Sequence, residues 1–417
     1  MAAVKEVLKS VLVSAPGKVI LHGEHAVVYG KTAIATSVDL RCYLLLSPRA
    51  TGDVKLILPD MQLTQTWPIS ELKKLLSQRI EGTDDDNLQI LKRFCNVGEN
   101  PSMKSLACLV LLYLLTKILH HKMATLTGID ILIYSQLPFG AGLGSSAAYS
   151  VCIAAGLLTC CGAITVNKKE ANSDIKSHNL PEMMLEYIRE RGEGVLLTDA
   201  VSSWGEYAKE DLELINKLSY EAETLVHGTP SGIDNSISVF GGAIKFKNGA
   251  FKQIDKMPSL TILLVYTKVL RNTKKMVARV RDLHDKYPSV ISPLLTSIEE
   301  IVLKSETVLA KLASLSEGEP NNELYSTLQD LFTINHHLLN SIGVGHASLD
   351  KVHHMTSEIG LASKLTGAGG GGCAIALIPP GFSSSHLSEV KGRLEESGFE
   401  SWETSIGGNG VRAHWIH

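Results

Sequence analysis

The sequence predicts an α+β protein with sheets in both halves of the chain. Three observations predict it: short apolar runs of strand length recur near both ends, alanine- and leucine-rich segments of helical length lie between them, and glycine clusters separate the two kinds of segment. The chain's 35 glycines gather in four places, Gly17 to Gly30, Gly140 to Gly144, Gly228 to Gly242 and Gly367 to Gly372, where they mark turns or close approaches.

The elements follow in order. Val11 to Val13 and Lys18 to Leu21 read as two strands meeting at a tight turn at Pro16-Gly17. Ala33 to Val38 and Arg41 to Leu46 read as further strands. Ser105 to Leu119 is a buried helix, Ile129 to Tyr134 a strand, and Ala147 to Leu158 an alanine-rich helix. Ile237 to Phe246 reads as a strand pair around Gly241-Gly242, and Ile262 to Tyr266 as a strand followed by a basic helix from Thr273. Ile291 to Leu349 is largely helical, and Cys373 to Ile378 is a buried strand. Val166 to Ser203 is polar and lacks firm periodicity, so it reads as a surface excursion with one helical stretch over Met183 to Arg191.

Composition narrows the function. With 417 residues the chain has room for two or three domains at about 150 residues each. Hydrophobic residues at 44% and charged residues at 20% exclude a mainly disordered chain. A net charge of −3 gives no basic excess for nucleic acid or an anionic membrane surface. Seven scattered cysteines without a CxxC pair suggest reduced thiols. Lys5, Glu6 and Lys9 interrupt any signal-peptide core, Leu106 to Thr116 is too short to span a membrane, and Trp415-Ile416-His417 is not a serine-lysine-leucine address. A cytoplasmic location with no membrane association is expected.

The strongest motif is Pro138-Phe139-Gly140-Ala141-Gly142-Leu143-Gly144-Ser145-Ser146, placed after a strand and opening a helix. Small residues let the backbone approach an anion, and the helix start points its N–H groups and its dipole there. Ser145 and Ser146 can ligate a phosphate or its metal, or simply cap the helix. No Gly-Lys-Ser/Thr follows, so this is not a Walker A loop. Gly367 to Gly372 fits G-x-G-x-x-G, but a helix-like segment before it and a strand after it reverse the dinucleotide-binding order. Close approach of another segment or a ligand, or a hinge, would explain it.

Ser14 to His25 presents Lys18, Glu24 and two imidazoles around glycine turns, suited to holding a phosphate or polarising a hydroxyl. His22-x-Glu24 lacks the Pro-Cys-x-x-Cys partner of a zinc deaminase. The adjacent His-His pairs starting at His120, His336 and His353 do not share a helix face and read as solvated or core residues. Glu223, near a helix end, and Asp234, on a turn after Pro230-Ser231-Gly232, are two carboxylates that could divide metal binding and base duties.

Together these motifs resemble the GHMP kinase superfamily and, within it, the mevalonate kinase family. The set is Ser14-Ala15-Pro16-Gly17-Lys18 with Gly23-Glu24-His25, Pro138 to Ala148, and Lys364 to Cys373. His227 to Asn235, Asn335 to Leu349 and Trp402 to Gly407 add to it. The resemblance implies a two-domain GHMP kinase fold: a ribosomal-protein-S5-like N-terminal domain over residues 1–258 and a ferredoxin-like C-terminal domain over residues 259–417, with the site between them. It implies ATP-dependent phosphorylation of the mevalonate C5 hydroxyl in isoprenoid and sterol biosynthesis. Kinases for another small alcohol, silent metabolite sensors and a related decarboxylase are the competing members of the superfamily.

Residue by residue, the resemblance makes Asp234 the base and Lys18 the group that acidifies the hydroxyl and steadies the moving phosphoryl group. It places Mg²⁺ on Ser146 and Glu223, the ATP phosphates on Gly140, Ala141, Gly142, Leu143, Gly144, Ser145 and Ser146, and Ser135 near the nucleotide. Glu24, His25 and Thr273 are placed on the acceptor side. A homodimer and competition by prenyl diphosphates are also implied. Two departures stand out: the long 166–203 excursion, and Asp60 after Pro59, where the family carries asparagine.

Overall fold

The computed structural model describes residues 10–49, 52–77, 84–120, 128–167, 180–190, 204–316 and 321–415. One mixed sheet runs through the molecule. Its strands lie in the order Ser363–Thr366, Cys373–Ile378, Leu260–Tyr266, Glu400–Ile406, Ala33–Pro48, Ile129–Ser135, Asp53–Leu58, Leu63–Pro68. The two halves of the sheet meet where Ile406 pairs with Val38. Strand Val11–His22 pairs with Ala33–Pro48, and Ala243–Lys247 extends the sheet beside Ala33 to Thr36. The last strand, Arg412–Trp415, returns to pair with Val11 to Ser14.

The first expected turn is absent: Val11–His22 is one strand whose register shifts between Pro16 and Gly17. Proline donates no ladder hydrogen bond, so the break becomes a bulge in a continuous strand. Gly17 is needed for close approach, since a Cβ there would lie 2.7 Å from the Leu143 carbonyl oxygen. Ala33–Pro48 is likewise one strand where two were expected.

Ile237 to Phe246 is not a strand pair. Helix Ile233–Phe240 starts from Gly232 and ends at Gly241, both at positive φ, and only Ala243–Lys247 is a strand. The β-branched content suggested a strand, but Ile237 and Val239 are buried on the helix, so packing overrides propensity. Asp234 therefore lies in the first turn of this helix and not on a free turn. Strand Ser363–Thr366, not a helix, leads into Gly367 to Gly372.

Buried helices Met103–Leu119 and Ser145–Cys160 pack with the sheet into the larger core, which includes Leu44, Leu56, Leu112 and Ile153. A second core, including Val265, Val280, Leu349 and Val390, joins the C-terminal strands to helices Thr273–Lys286, Pro288–Ser314, Ala347–Ser357 and Ser384–Glu396. Helix Asn322–Ser341 places Phe332 in the first core and Leu339 in the second.

The helix expected over Met183 to Arg191 is Glu182–Glu190. Its Met184 and Ile188, one turn apart, are buried with Leu12, Tyr43, Leu45 and Leu132. This corrects the reading of 166–203 as a surface excursion over that helix, which covers an apolar face of the sheet. Residues 168–179 and 191–203 of that segment lie outside the described residues. All seven cysteines are free, and no helix among the described residues is long and apolar enough to cross a membrane.

Candidate active site

Strand Ile129–Ser135 ends, a glycine loop follows, and helix Ser145–Cys160 begins at Gly144, as the motif predicted. Gly140, Gly142 and Gly144 all take positive φ, which folds the loop over the helix start. The N–H groups of the first helical turn have no intrahelical acceptor, so they remain available to an anion. The loop is fastened to the first motif by the Lys18 backbone N–H, which donates to Leu143 O at 2.8 Å.

Lys18 Nζ lies 3.1 Å from Asp234 Oδ1, and Gly144 sits against both side chains. Three distant sequence segments thus place a cation, a carboxylate and an open helix N-terminus in one place. Lys18 is mostly buried, while the Asp234 side chain keeps 41% of its surface exposed and open to a substrate.

Beside them, Glu223 is buried on helix Lys209–His227. Its Oε1 accepts from Ser146 Oγ at 2.7 Å and from Ser150 Oγ at 2.9 Å, and His227 Nε2 lies 3.5 Å from its Oε2. Burial raises the Glu223 pKa; the two serine hydrogen bonds and His227 oppose the rise, while Asp234 adds to it. A carboxylate and a hydroxyl at the phosphate loop are hard oxygen donors that fit Mg²⁺, which completes its shell with phosphate oxygens and water. Among the described residues no group of three or more His, Cys, Asp or Glu could hold a metal ion.

Ser135, Ser145 and Ser146 are among the lining of a largely apolar cleft with about 70 Å³ of water-accessible space. Met103, Val110, Ile133 and Phe139 contribute its walls, and Asp60 its one charged side chain among the described lining residues. The cleft runs directly into the phosphate loop.

Chain similarity accords with this geometry. The GHMP kinases N terminal domain matches residues 108–175, and the GHMP kinases C terminal domain matches residues 321–398. Mevalonate kinase of Mus musculus is 43% identical over 412 residues, covering 97% of this chain and 95% of the relative. Mevalonate kinase of Homo sapiens is 42% identical over 409 residues, covering 97% and 94%. The chain belongs to the mevalonate kinase family. The crystal structure of the Methanococcus jannaschii mevalonate kinase shares its fold, with a TM-score of 0.63 at 21% identity over 96% of this chain and 99% of that one. That of L. major mevalonate kinase in complex with R-mevalonate has a TM-score of 0.60 at 22% identity, covering 95% and 96%.

In this mevalonate kinase family member, the structure brings Lys18, Ser135, Ser145, Ser146, Glu223, Asp234 and the loop from Gly140 to Gly144 together. It turns Glu24 and His25 inward. The Glu24 carboxylate is buried against Lys364 Nζ and accepts from Asn335 Nδ2 at 3.1 Å. Burial pushes the Glu24 pKa up and that of Lys364 down, and their contact opposes both shifts. His25 Nε2 lies 2.8 Å from Ala368 O, which fixes the first motif to the third. Burial lowers the His25 pKa. Thr273 is exposed at the start of helix Thr273–Lys286.

Sequence reasoning missed Arg271. A Cβ on Gly142 would fall inside its guanidinium, and one on Gly367 would meet it too, so this cation lies between the two glycine loops. Burial lowers its pKa, and Asp234 is among the groups opposing that shift. An arginine stays charged under such a shift. The only signal was its place two residues before a helix start, which carries no chemistry. Lys364 and Asn335 were inside quoted motifs, but only the fold shows that they close around Glu24.

Proposed function

We propose that this chain transfers the γ-phosphoryl group of ATP to the C5 hydroxyl of (R)-mevalonate, forming 5-phosphomevalonate and ADP. The observation that carries the proposal is the Lys18–Asp234 pair set against an open phosphate loop, in a chain 43% identical to a mevalonate kinase over nearly its full length.

Phosphoryl transfer asks a protein mainly to position the reactants and neutralise charge. The first-turn N–H groups after Gly144 bind phosphate oxygens, and Ser135 faces the nucleotide. Asp234 accepts the C5 hydroxyl proton, that oxygen forms its bond to the γ-phosphorus, and the bond to the β-bridging oxygen breaks to release ADP. Lys18 lowers the hydroxyl pKa and balances charge on the moving group, and Arg271 supplies a second cation from between the two glycine loops. Ser146 and Glu223 would hold Mg²⁺, which neutralises phosphate charge when bound. Glu24 and His25 keep the acceptor-side wall in place through Lys364 and Ala368. Thr273 belongs to the acceptor side on the strength of the family resemblance alone. A homodimer and competition by prenyl diphosphates with ATP belong to this reading on the strength of the family resemblance.

The test is ADP release with mevalonate, homoserine and galactose offered in turn. Release with mevalonate alone is the expected result. Equal turnover with either other alcohol would overturn the acceptor assignment.

A further inference from the structure

The cleft beside the phosphate loop has one feature that its apolar walls do not require. Asp60 sits in a short 3₁₀ turn between strands Asp53–Leu58 and Leu63–Pro68. Its Oδ2 accepts the Ser135 backbone N–H at 2.8 Å, which fixes the carboxylate at the rim. Its other oxygen has no hydrogen-bond partner among the described residues. Met61 and Met103 lie beside it, and Cys42, Val110 and Tyr149 form the interior.

Apolar side chains such as Met61, Met103, Val110 and Ile133 suit the faces of a nucleotide base, and the polar rim decides which ring edge is matched. A carboxylate only accepts hydrogen bonds, whereas an amide both donates and accepts. Adenine presents an amino donor next to a ring-nitrogen acceptor, a pattern that an amide matches with two bonds. Guanine presents N1–H and N2–H side by side, two donors that a carboxylate can take together. Desolvation raises the Asp60 pKa, as expected of a carboxylate facing an apolar slot and lacking a cationic partner.

We infer that Asp60 is a base-reading residue that biases this kinase toward phosphate donors whose base presents hydrogen-bond donors, so that it uses GTP as well as ATP. The inference rests on the proposed reading that ATP phosphates lie at the loop before Ser145 with Ser135 facing the nucleotide, which directs the base into the adjoining cleft.

The test compares kcat/KM for ATP and GTP, at saturating mevalonate, in the full-length chain and two variants. Asp60→Asn keeps an acceptor for the Ser135 N–H while adding a donor at the rim. Met103→Trp narrows the cleft from a position that is already 56% exposed, so folding is preserved, which a thermal melt checks. The expected result is measurable GTP use by the unmodified chain and a fall of about tenfold in the GTP-to-ATP ratio of kcat/KM in Asp60→Asn, within the range of a lost bidentate base contact. Met103→Trp raises KM for both nucleotides. An unchanged ratio in Asp60→Asn, with KM raised in Met103→Trp, overturns the role of Asp60 and leaves the cleft as the base site. Unchanged nucleotide KM values in Met103→Trp overturn the placement of the base and the inference with it.

Discussion

The two glycine loops look alike in sequence and do opposite things. The loop from Gly140 to Gly144 joins a strand to a helix and leaves the helix's first N–H groups open. The run Gly367 to Gly372 joins strand Ser363–Thr366 to strand Cys373–Ile378. Two of its N–H groups are used internally: Gly370 N donates to Val344 O at 2.8 Å and Gly372 N to Val269 O at 2.9 Å. Glycine density therefore reports close backbone approach, and the following element decides what approaches. A helix start receives an anion, whereas a strand receives more protein.

The largest expected effect tests the chemistry at the first loop. Asp234→Asn keeps the shape of the side chain and removes the base. Turnover should fall roughly 10²- to 10⁴-fold while ATP binding persists. Near-native turnover would remove the base assignment. Joint loss of ATP binding and turnover would make Asp234 a metal ligand instead.

Arg271 is next, because it touches both loops. Arg271→Gln removes a half-buried cation from the transition-state field and should lower kcat roughly 10²-fold, the scale seen when one stabilising donor is lost. A change confined to thermal stability would show that Arg271 only spaces the loops apart.

A matched pair of substitutions then separates the loops directly. Gly144→Ala places a Cβ 3.1 Å from Lys18 Cγ and beside Asp234, so activity should fall more than stability. Gly369→Ala, also at positive φ, drives a Cβ into the Val344 carbonyl. It should cost about 1–3 kcal/mol of stability and leave turnover per folded molecule nearly unchanged. Urea midpoints and kcat measured on both proteins check this contrast, and a reversal of the two outcomes would refute it.

The difference between the loops also explains what could be read in advance. Local signals were legible: the strand–glycine–helix order around Ser145, the helix of Met103–Leu119, and the buried strand of Cys373–Ile378 all follow from short-range pattern. Long-range determinants were not. Pro16-Gly17 looks like a turn until the Leu143 carbonyl is known to lie against Gly17. Ile237 to Phe246 looks like a strand pair until Ile237 and Val239 are placed in a core on a helix. Arg271 carries no motif because its role arises from the opposing Gly142 and Gly367. Lys18, Glu223 and Asp234 were legible because their flanking residues form a known set, and their convergence needed the fold.

The smallest effect concerns the support beneath the second loop. His353 Nδ1 lies 2.9 Å from Ser363 O, at the head of the strand that enters Gly367 to Gly372, and its ring stacks on His336 with centroids 4.4 Å apart. His336 is buried, with Nε2 3.1 Å from Asp350 Oδ1 and Asn340 and His337 close by. Burial, with help from His353 and His337 and against the pull of Asp350, lowers its pKa to about 4 from an ordinary 6.5. A histidine whose folded pKa is lowered binds fewer protons in the native state than in the unfolded chain. Stability is then fully present above about pH 6.5 and declines as pH falls toward about 4. The decline should amount to about 1–2 kcal/mol between pH 7 and pH 5 for this residue. His22 and His353, whose pKa values burial also lowers, add to it in the same direction. In His336→Asn the pH dependence of the urea midpoint should become shallower, while kcat at pH 7 per folded molecule stays close to that of the unmodified chain. Parallel pH curves for the two proteins would show that His336 does not titrate with folding. A loss of kcat at pH 7 without loss of stability would mean that the second loop communicates with the chemistry more directly than its protein-facing hydrogen bonds imply.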